Sequence, residues 1–410
     1  MRSGAAPSPG GDRRLLDRLA QGIELALRSG AAPLLLGARL AGRVGAASNP
    51  ALPARKSSLA IASKIVLDEI FFASELASAT FVARRDHRRV VGETEDALAF
   101  YEEQGWVADP SGFHLDPPAL ERVTLTRVYR PRLPYLHLRA ASDYQPHPGE
   151  PGRQRWLDYT PTRTLHAWML RHTGRPRPWL VCIPGYRMGQ PLVDFTGFRA
   201  RWLHQTLGVN VAIPVLPLHG PRRVGRRGGD GFFTGDFIDT VHAQAQAVWD
   251  IRRLIGWLRA QGAPGVGVYG VSLGGYTAAL VASLESELAC VIAGIPASDF
   301  VRLARAHAPA LLVRAAQRAG FSFERIERLL RVISPLALEP KVAHARRFLY
   351  AGLADRLASP DQASDLWRHW GEPRTLWYHG SHVSFIWEPE IQTLLAEALA
   401  TSGLVTPPRS

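Results

Sequence analysis

The run Gly265-Val266-Gly267-Val268-Tyr269-Gly270-Val271-Ser272-Leu273-Gly274-Gly275 joins a short apolar strand to a sharp turn, and Tyr276 to Ala282 continues it as an Ala-rich helix. Ser272 stands at the centre of a G-x-S-x-G within it. On a strand-turn-helix of this kind the serine hydroxyl projects beyond the strand end, and side chains at Gly270 or Gly274 would crowd the turn. A serine hydroxyl is a poor nucleophile at its own pKa. Chemistry at Ser272 therefore needs an imidazole to take its proton and a carboxylate to fix the tautomer of that imidazole. The backbone N–H of Leu273, at the start of the helix, faces the charge that develops during acyl transfer.

The partners are expected later in the chain, in the order acid then histidine. The apolar run Arg347 to Gly352 is followed by Asp355, and the run Arg374 to Tyr378 by His379-Gly380-Ser381-His382. Asp355 and His382 thus each stand just beyond the carboxyl end of a strand, the edge at which open α/β sheets bind ligands. Asp299, which follows the strand Ala289 to Ala293, is an alternative acid, and His379 an alternative base. His382 is preferred because it lies in the loop after Gly380, where its ring is free to reach the serine. A second oxyanion donor is expected in the loop after the strand Trp179 to Ile183. There Gly185 allows close backbone approach and Tyr186 N–H is the candidate.

Over residues 121–410 the chain resembles the α/β-hydrolase superfamily, on the strength of the serine elbow, the acid turn and the histidine loop. The resemblance implies Ser272 as nucleophile, His382 as general base then acid, Asp355 as the orienting carboxylate, and hydrolysis of an ester-like carbonyl through an acyl-enzyme. Many members carry His-Gly at the oxyanion strand; Pro184-Gly185 stands here, so a side-chain role at that position is absent. Within the superfamily the chain is also similar to a branch of membrane-lipid deacylase type. Gly380-Ser381-His382-Val383-Ser384 and Leu216-Pro217-Leu218-His219-Gly220-Pro221-Arg222 carry that likeness. Acyl transfer on the same residues, and a catalytically silent fold used for binding, are the alternatives.

Positioning such residues takes an alternation of strands and helices. The segments 123–129 and 135–138 alternate as antiparallel strands do, and apolar runs at 164–170, 179–183 and 209–215 follow. A helix over 243–258 precedes the elbow. The expected architecture is a mostly parallel, doubly wound α/β sheet with a helical N-terminal extension over 1–120, an α/β-hydrolase domain over 121–410, and a helical cap insertion over 302–342. The Gly-rich segment 220–233 supplies candidate substrate contacts: Arg222 and Arg223 for an anionic group, Phe232 and Phe233 for an acyl chain.

Composition narrows the function classes. A chain of 410 residues with 46% apolar and 21% charged residues has ample material for a packed core. The net charge of +13 comes almost wholly from arginine, because Lys56, Lys64 and Lys341 are the only lysines. These charges are scattered among acids, with no nucleic-acid-binding motif, so a nucleic-acid partner is not expected, whereas peripheral contact with an anionic membrane remains open. Cys182 and Cys290 lie on separate core strands and read as buried thiols of a reduced, cytoplasmic protein. Nothing points to a metal site or a cofactor. The first 36 residues carry neither a secretory signal nor a membrane span. The segment 58–82 reads as an amphipathic helix in which Ile65, Val66, Ile70, Phe71 and Phe72 are apolar while Lys64, Asp68, Glu69 and Glu75 interrupt them. The partner expected is a small-molecule or lipid-like ester.

Overall fold

The computed structural model describes residues 52–54, 58–78, 86–129, 134–233, 236–308, 310–318 and 320–406. The readings made of the first 36 residues lie outside these. Two helices, α1 (Leu59–Ser78) and α2 (His87–Glu103), precede nine strands: β1 (Thr124–Val128), β2 (Tyr135–Ala141), β3 (Thr164–Leu170), β4 (Trp179–Ile183), β5 (Asn210–Pro214), β6 (Val266–Val271), β7 (Val291–Gly294), β8 (Arg347–Gly352) and β9 (Arg374–Tyr378). The main helices among them are α3 (Phe237–Ala260), α4 (Leu273–Leu284), α5 (Phe300–His307), α6 (Ala310–Arg318), α7 (Phe323–Leu330), α8 (Pro360–His369) and α9 (Pro389–Thr401).

All nine strands form one sheet in the order β1-β2-β3-β5-β4-β6-β7-β8-β9. The first three pairings along that order are antiparallel and the remaining five are parallel. The inner parallel strands, β4 to β8, are buried on both faces and alternate between two cores, whereas β9 at the edge is mostly half-buried. Val181 and Ile183 of β4, Val268 of β6 and Leu349 of β8 join one hydrophobic cluster with α3 and α4. Leu180 and Cys182, Tyr269 and Val271, and Phe348 and Tyr350 join the other, which takes in α9. From β4 the chain goes to β5 on one side and then to β6 on the other. That reversal opens a crevice at the carboxyl ends of β4 and β6.

Helix α3 is apolar where it meets the sheet and polar where it meets the chain entering it. Asp236 caps its start by accepting from Asp239 N–H. About four turns further along the helix, Asp250 accepts from Ser142 Oγ at 2.6 Å and from Arg222 Nη2 at 2.7 Å. The Arg222 guanidinium also donates to the carbonyls of Val215 and Thr162, at the ends of β5 and just before β3. Gln246 Nε2 donates to Ser142 Oγ and to Thr162 O, and Gln246 Oε1 accepts from Trp156 Nε1. Arg222 and Asp250 are 1% and 2% exposed, so water does little to screen their charges, which are offset chiefly by each other and by this network.

The helices flanking the sheet are shared with the N-terminal segment. Ala97, Leu98 and Tyr101 of α2 and Phe113 lie in the same hydrophobic cluster as α3 and α7. Exposed pairs, Arg325 with Glu95 and Arg328 with Glu102, join α7 to α2. Among the described residues no helix is long and apolar enough to cross a membrane.

The Arg222–Asp250 pair gives the sharpest expectation for stability. Asp250→Asn leaves a buried guanidinium without its counter-charge and should lower unfolding free energy by about 3–5 kcal/mol. Breaking the exposed Arg325–Glu95 pair by Glu95→Gln should cost less than about 1 kcal/mol. Urea unfolding of the two variants beside the wild type checks this, and equal losses would contradict it.

Candidate functional site

Ser272 lies between β6 and α4 with φ +56° and ψ −118°, a conformation that L-residues adopt only where the surroundings enforce it. Those surroundings are backbone. A Cβ on Gly270 would stand 1.9 Å from Gly274 O, and one on Gly274 would stand 1.9 Å from Ile183 O. The turn is also held by Ser272 N–H donating to Gly294 O at 2.8 Å, which ties the end of β6 to the end of β7.

β8 and β9 deliver the other two groups. His382 Nε2 is 2.9 Å from Ser272 Oγ, and His382 Nδ1 is 2.6 Å from Asp355 Oδ2. A carboxylate accepts, so Nδ1 carries the hydrogen and Nε2 is left to accept from the serine hydroxyl. The other Asp355 oxygen accepts from the N–H groups of Leu357 and Ala358, both at 2.8 Å. Burial pushes the Asp355 carboxyl up to about 6 against the opposing pull of His382. For His382, burial favours the neutral ring, but the Asp355 charge and hydrogen bond outweigh it, and the imidazole is raised above its ordinary 6.5.

The alternatives lie elsewhere. Asp299 caps α5, accepting from Arg302 N–H at 2.9 Å. His379 makes no hydrogen bond to Ser272 or Asp355, and its Nδ1 is buried without a partner.

The loop after β4 lies against the elbow: a Cβ on Gly185 would stand 3.1 Å from Val271 O and 3.4 Å from Ser272 Cβ. Gly185 N–H donates to Met188 Sδ, and Gly189 N–H to the buried carboxylate of Asp194, so the path of the chain through Tyr186 is fixed on both sides. Leu273 N–H opens α4, where no carbonyl of the same helix can reach it. An aromatic wall stands beside these groups. Phe233 lies 5.1 Å from Tyr186 and 5.1 Å from Phe300, and Phe300 stacks on Tyr276 at 4.0 Å.

The segment 220–233 divides differently from the expectation. Arg222 does not face a substrate: it is buried in the pair with Asp250, because the carbonyls of Val215 and Thr162 and that carboxylate need its donors. Phe232 is fully buried and packs behind Phe233. Arg223 is exposed, and Phe233 half-buried on the aromatic wall. The loop is pinned to the Tyr186 segment by Arg187, which donates to Asp230 Oδ1 and Gly228 O. Among the described residues no group of three His, Cys, Asp or Glu side chains is placed to hold a metal ion.

One residue at the site was not singled out for it from the sequence. Asp68 of α1 is fully buried. Its Oδ2 accepts from Arg356 N–H and His382 N–H, both at 2.9 Å, and its Oδ1 from Val383 N–H at 2.8 Å. Helix α1 therefore turns Asp68 and Glu69 inward, while Leu59, Val66, Leu67 and Ile70 are exposed. The amphipathic pattern assigned to this helix is inverted at these positions, because buried peptide N–H groups of the two loops require acceptors. The only sequence signal was an acidic pair inside an apolar run.

No family model matches the chain. Two uncharacterized proteins of Mycobacterium tuberculosis, from strains CDC 1551 / Oshkosh and H37Rv, are each 42% identical to it over 361 residues, covering 88% of this chain and 86% of theirs. Among solved structures, an acetyl xylan esterase from Paenibacillus sp. R4 superposes with a TM-score of 0.50 at 17% identity, over 74% of this chain and 94% of that one. At that identity the likeness is one of fold. The chain belongs to the family of these two Mycobacterium tuberculosis proteins and has the α/β-hydrolase fold.

Proposed function

We propose that the protein is a serine hydrolase that cleaves a carboxylic ester through an acyl-enzyme. The observation that carries this reading is the hydrogen-bonded line Ser272 Oγ, His382 Nε2, His382 Nδ1, Asp355 Oδ2, with separations of 2.9 Å and 2.6 Å. Ser272 Oγ attacks the ester carbonyl carbon as its proton passes to His382 Nε2. The carbonyl oxygen gains negative charge, which the N–H groups of Leu273 and Tyr186 stabilise. Collapse expels the alcohol, which takes the proton from His382. A water activated by the same nitrogen then attacks the acyl-enzyme and releases the acid. Asp355 remains ionised throughout, holding the ring and stabilising the imidazolium.

Phe233, Phe300 and Tyr276 support an apolar acyl group, and Arg223 is left as the exposed cation of the two first considered. We assign helices α5 to α7 the role of a cover beside this wall, within a hydrolase domain over 121–410, and 1–120 that of an extension. The buried, unpaired thiols of Cys182 and Cys290 fit a reducing compartment such as the cytoplasm.

A fluorophosphonate probe should label the wild type and leave Ser272→Ala unlabelled. That variant should lose p-nitrophenyl ester turnover by on the order of 10⁴-fold or more. A folded wild type that takes no label would overturn the reading. The pH dependence has a definite sign. Only neutral His382 accepts the serine proton, so the labelling rate rises with pH through the pKa of this imidazole. Since Asp355 holds it up, the midpoint should lie above 6.5. Asp355→Asn removes the larger of the effects that oppose burial, and should move the midpoint to lower pH while slowing the reaction about 10⁴-fold. A midpoint unmoved in that variant would remove Asp355 from its role.

A further inference from the structure

We propose that Asp68 is a positioning residue of this site: its carboxylate clamps the loops that carry Asp355 and His382 into register, making helix α1 part of the catalytic apparatus. The inference rests on the serine-hydrolase reading of Ser272, His382 and Asp355.

The geometry is specific to that task. The three N–H groups bound by Asp68 belong to the residue after Asp355, to His382 itself, and to the residue after His382. One oxygen, Oδ2, receives both Arg356 N–H and His382 N–H, so a single atom fixes the distance between the acid loop and the histidine loop. Other contacts at these strand ends serve each loop separately or join them further back. Tyr378 Oη donates to Ser381 O, Ser384 Oγ accepts from Ser381 N–H, and Ala354 N–H donates to Gly380 O.

Asp68 is a buried anion whose hydrogen-bond donors here are peptide groups, and such a group is retained only where its acceptors are needed. Helix α1 exposes Val66, Leu67 and Ile70 while burying this carboxylate, the opposite of what packing alone would select. The helix is held in place from outside the clamp. Lys64 Nζ binds Glu388 Oε1, which also accepts from Ser384 Oγ in the turn after His382, and Phe72 packs on His307 at 4.7 Å.

Electrostatics act in the same direction. His382 faces Ser272 from the elbow, Asp355 from the loop after β8 and Asp68 from α1, with Glu69 buried beside Asp68 on the same helix and the Lys64–Glu388 pair closing the far side. The Asp68 charge adds to that of Asp355 in favouring the protonated ring, the form generated as Ser272 attacks.

The test uses the full chain as wild type, Asp68→Asn and Lys64→Ala. It measures fluorophosphonate labelling rate, kcat and KM on p-nitrophenyl esters, and the titration of the His382 ring by NMR, assigned by its loss in His382→Gln. Asp68→Asn keeps the volume but loses the charge and turns an amide toward a peptide N–H. It should slow kcat and labelling between about tenfold and 10²-fold, the scale of a small misplacement. KM should change less than about twofold, as expected when only transition-state interactions are lost. The His382 titration should move to lower pH. Lys64→Ala, which leaves the buried carboxylate intact, should slow kcat by a few-fold, again without change in KM.

Wild-type rates with an unmoved titration in Asp68→Asn would overturn the proposal. So would a slowed variant whose titration stays in place, since that is a structural effect alone. Should Asp68→Asn not fold, wild-type rates in Lys64→Ala would overturn it equally. If the wild type takes no label, the hydrolase reading fails on its own, and the His382 titration in Asp68→Asn still decides whether Asp68 acts on the ring.

Discussion

The constraint on which the site depends is the close backbone contact between β4 and the turn that leaves β6. A Cβ at position 274 would lie 1.9 Å from Ile183 O, closer than any two such atoms can stand. The same turn permits no side chain at 270 and forces Ser272 to a positive φ. The strain of one residue, on the order of 1–3 kcal/mol, is carried by a sheet buried on both faces and by the hydrogen bond from Ser272 N–H to Gly294 O. In return the hydroxyl, the first amide of α4 and the chain through Tyr186 come within one small space. Loosening that contact would displace all three together, because each is held by the strand end beside it.

The histidine side of the site follows a different principle. His382 and Asp355 stand on loops rather than on a strained turn, so their geometry must come from hydrogen bonds. β8 and β9 bring the loops side by side. Tyr378, Ser384 and Gly380 shape the histidine loop from within, and Asp68 joins it to the acid loop from outside the sheet. A segment more than 280 residues away in sequence from both loops, by the 288 and 314 that separate it from Arg356 and His382, thereby supplies the acceptor that local chain could not.

Two of the buried charges in the fold have different outcomes. Arg222 and Asp250 neutralise one another beneath α3 and hold the chain between β3 and β5, a task of architecture. Asp68 meets peptide dipoles instead, and its charge acts on the His382 imidazole. The distinction decides which residue can influence reactivity: a paired charge is nearly invisible at a distance, whereas an anion held by N–H groups still acts on a neighbouring titratable ring.

The sequence by itself determined the parts that depend on short-range pattern. G-x-S-x-G after an apolar strand located the elbow, and the order of strands and helices located Asp355 and His382 at strand ends, since a parallel sheet places every carboxyl end on one edge. It also gave the fold class, because alternating strands and helices have few ways to bury both faces of a sheet. What only the tertiary structure decided was where each polar side chain finds its partner. Arg222 stood in a Gly-rich, cationic loop that looked open to substrate, and was drawn inward by Asp250 and two strand-end carbonyls. Asp68 interrupted an apolar run that looked like the packing face of α1, and became the buried side. In both cases the deciding term is the cost of leaving a buried donor or acceptor unpaired, and that cost is set by chain segments brought together in space, which no local pattern of residues records.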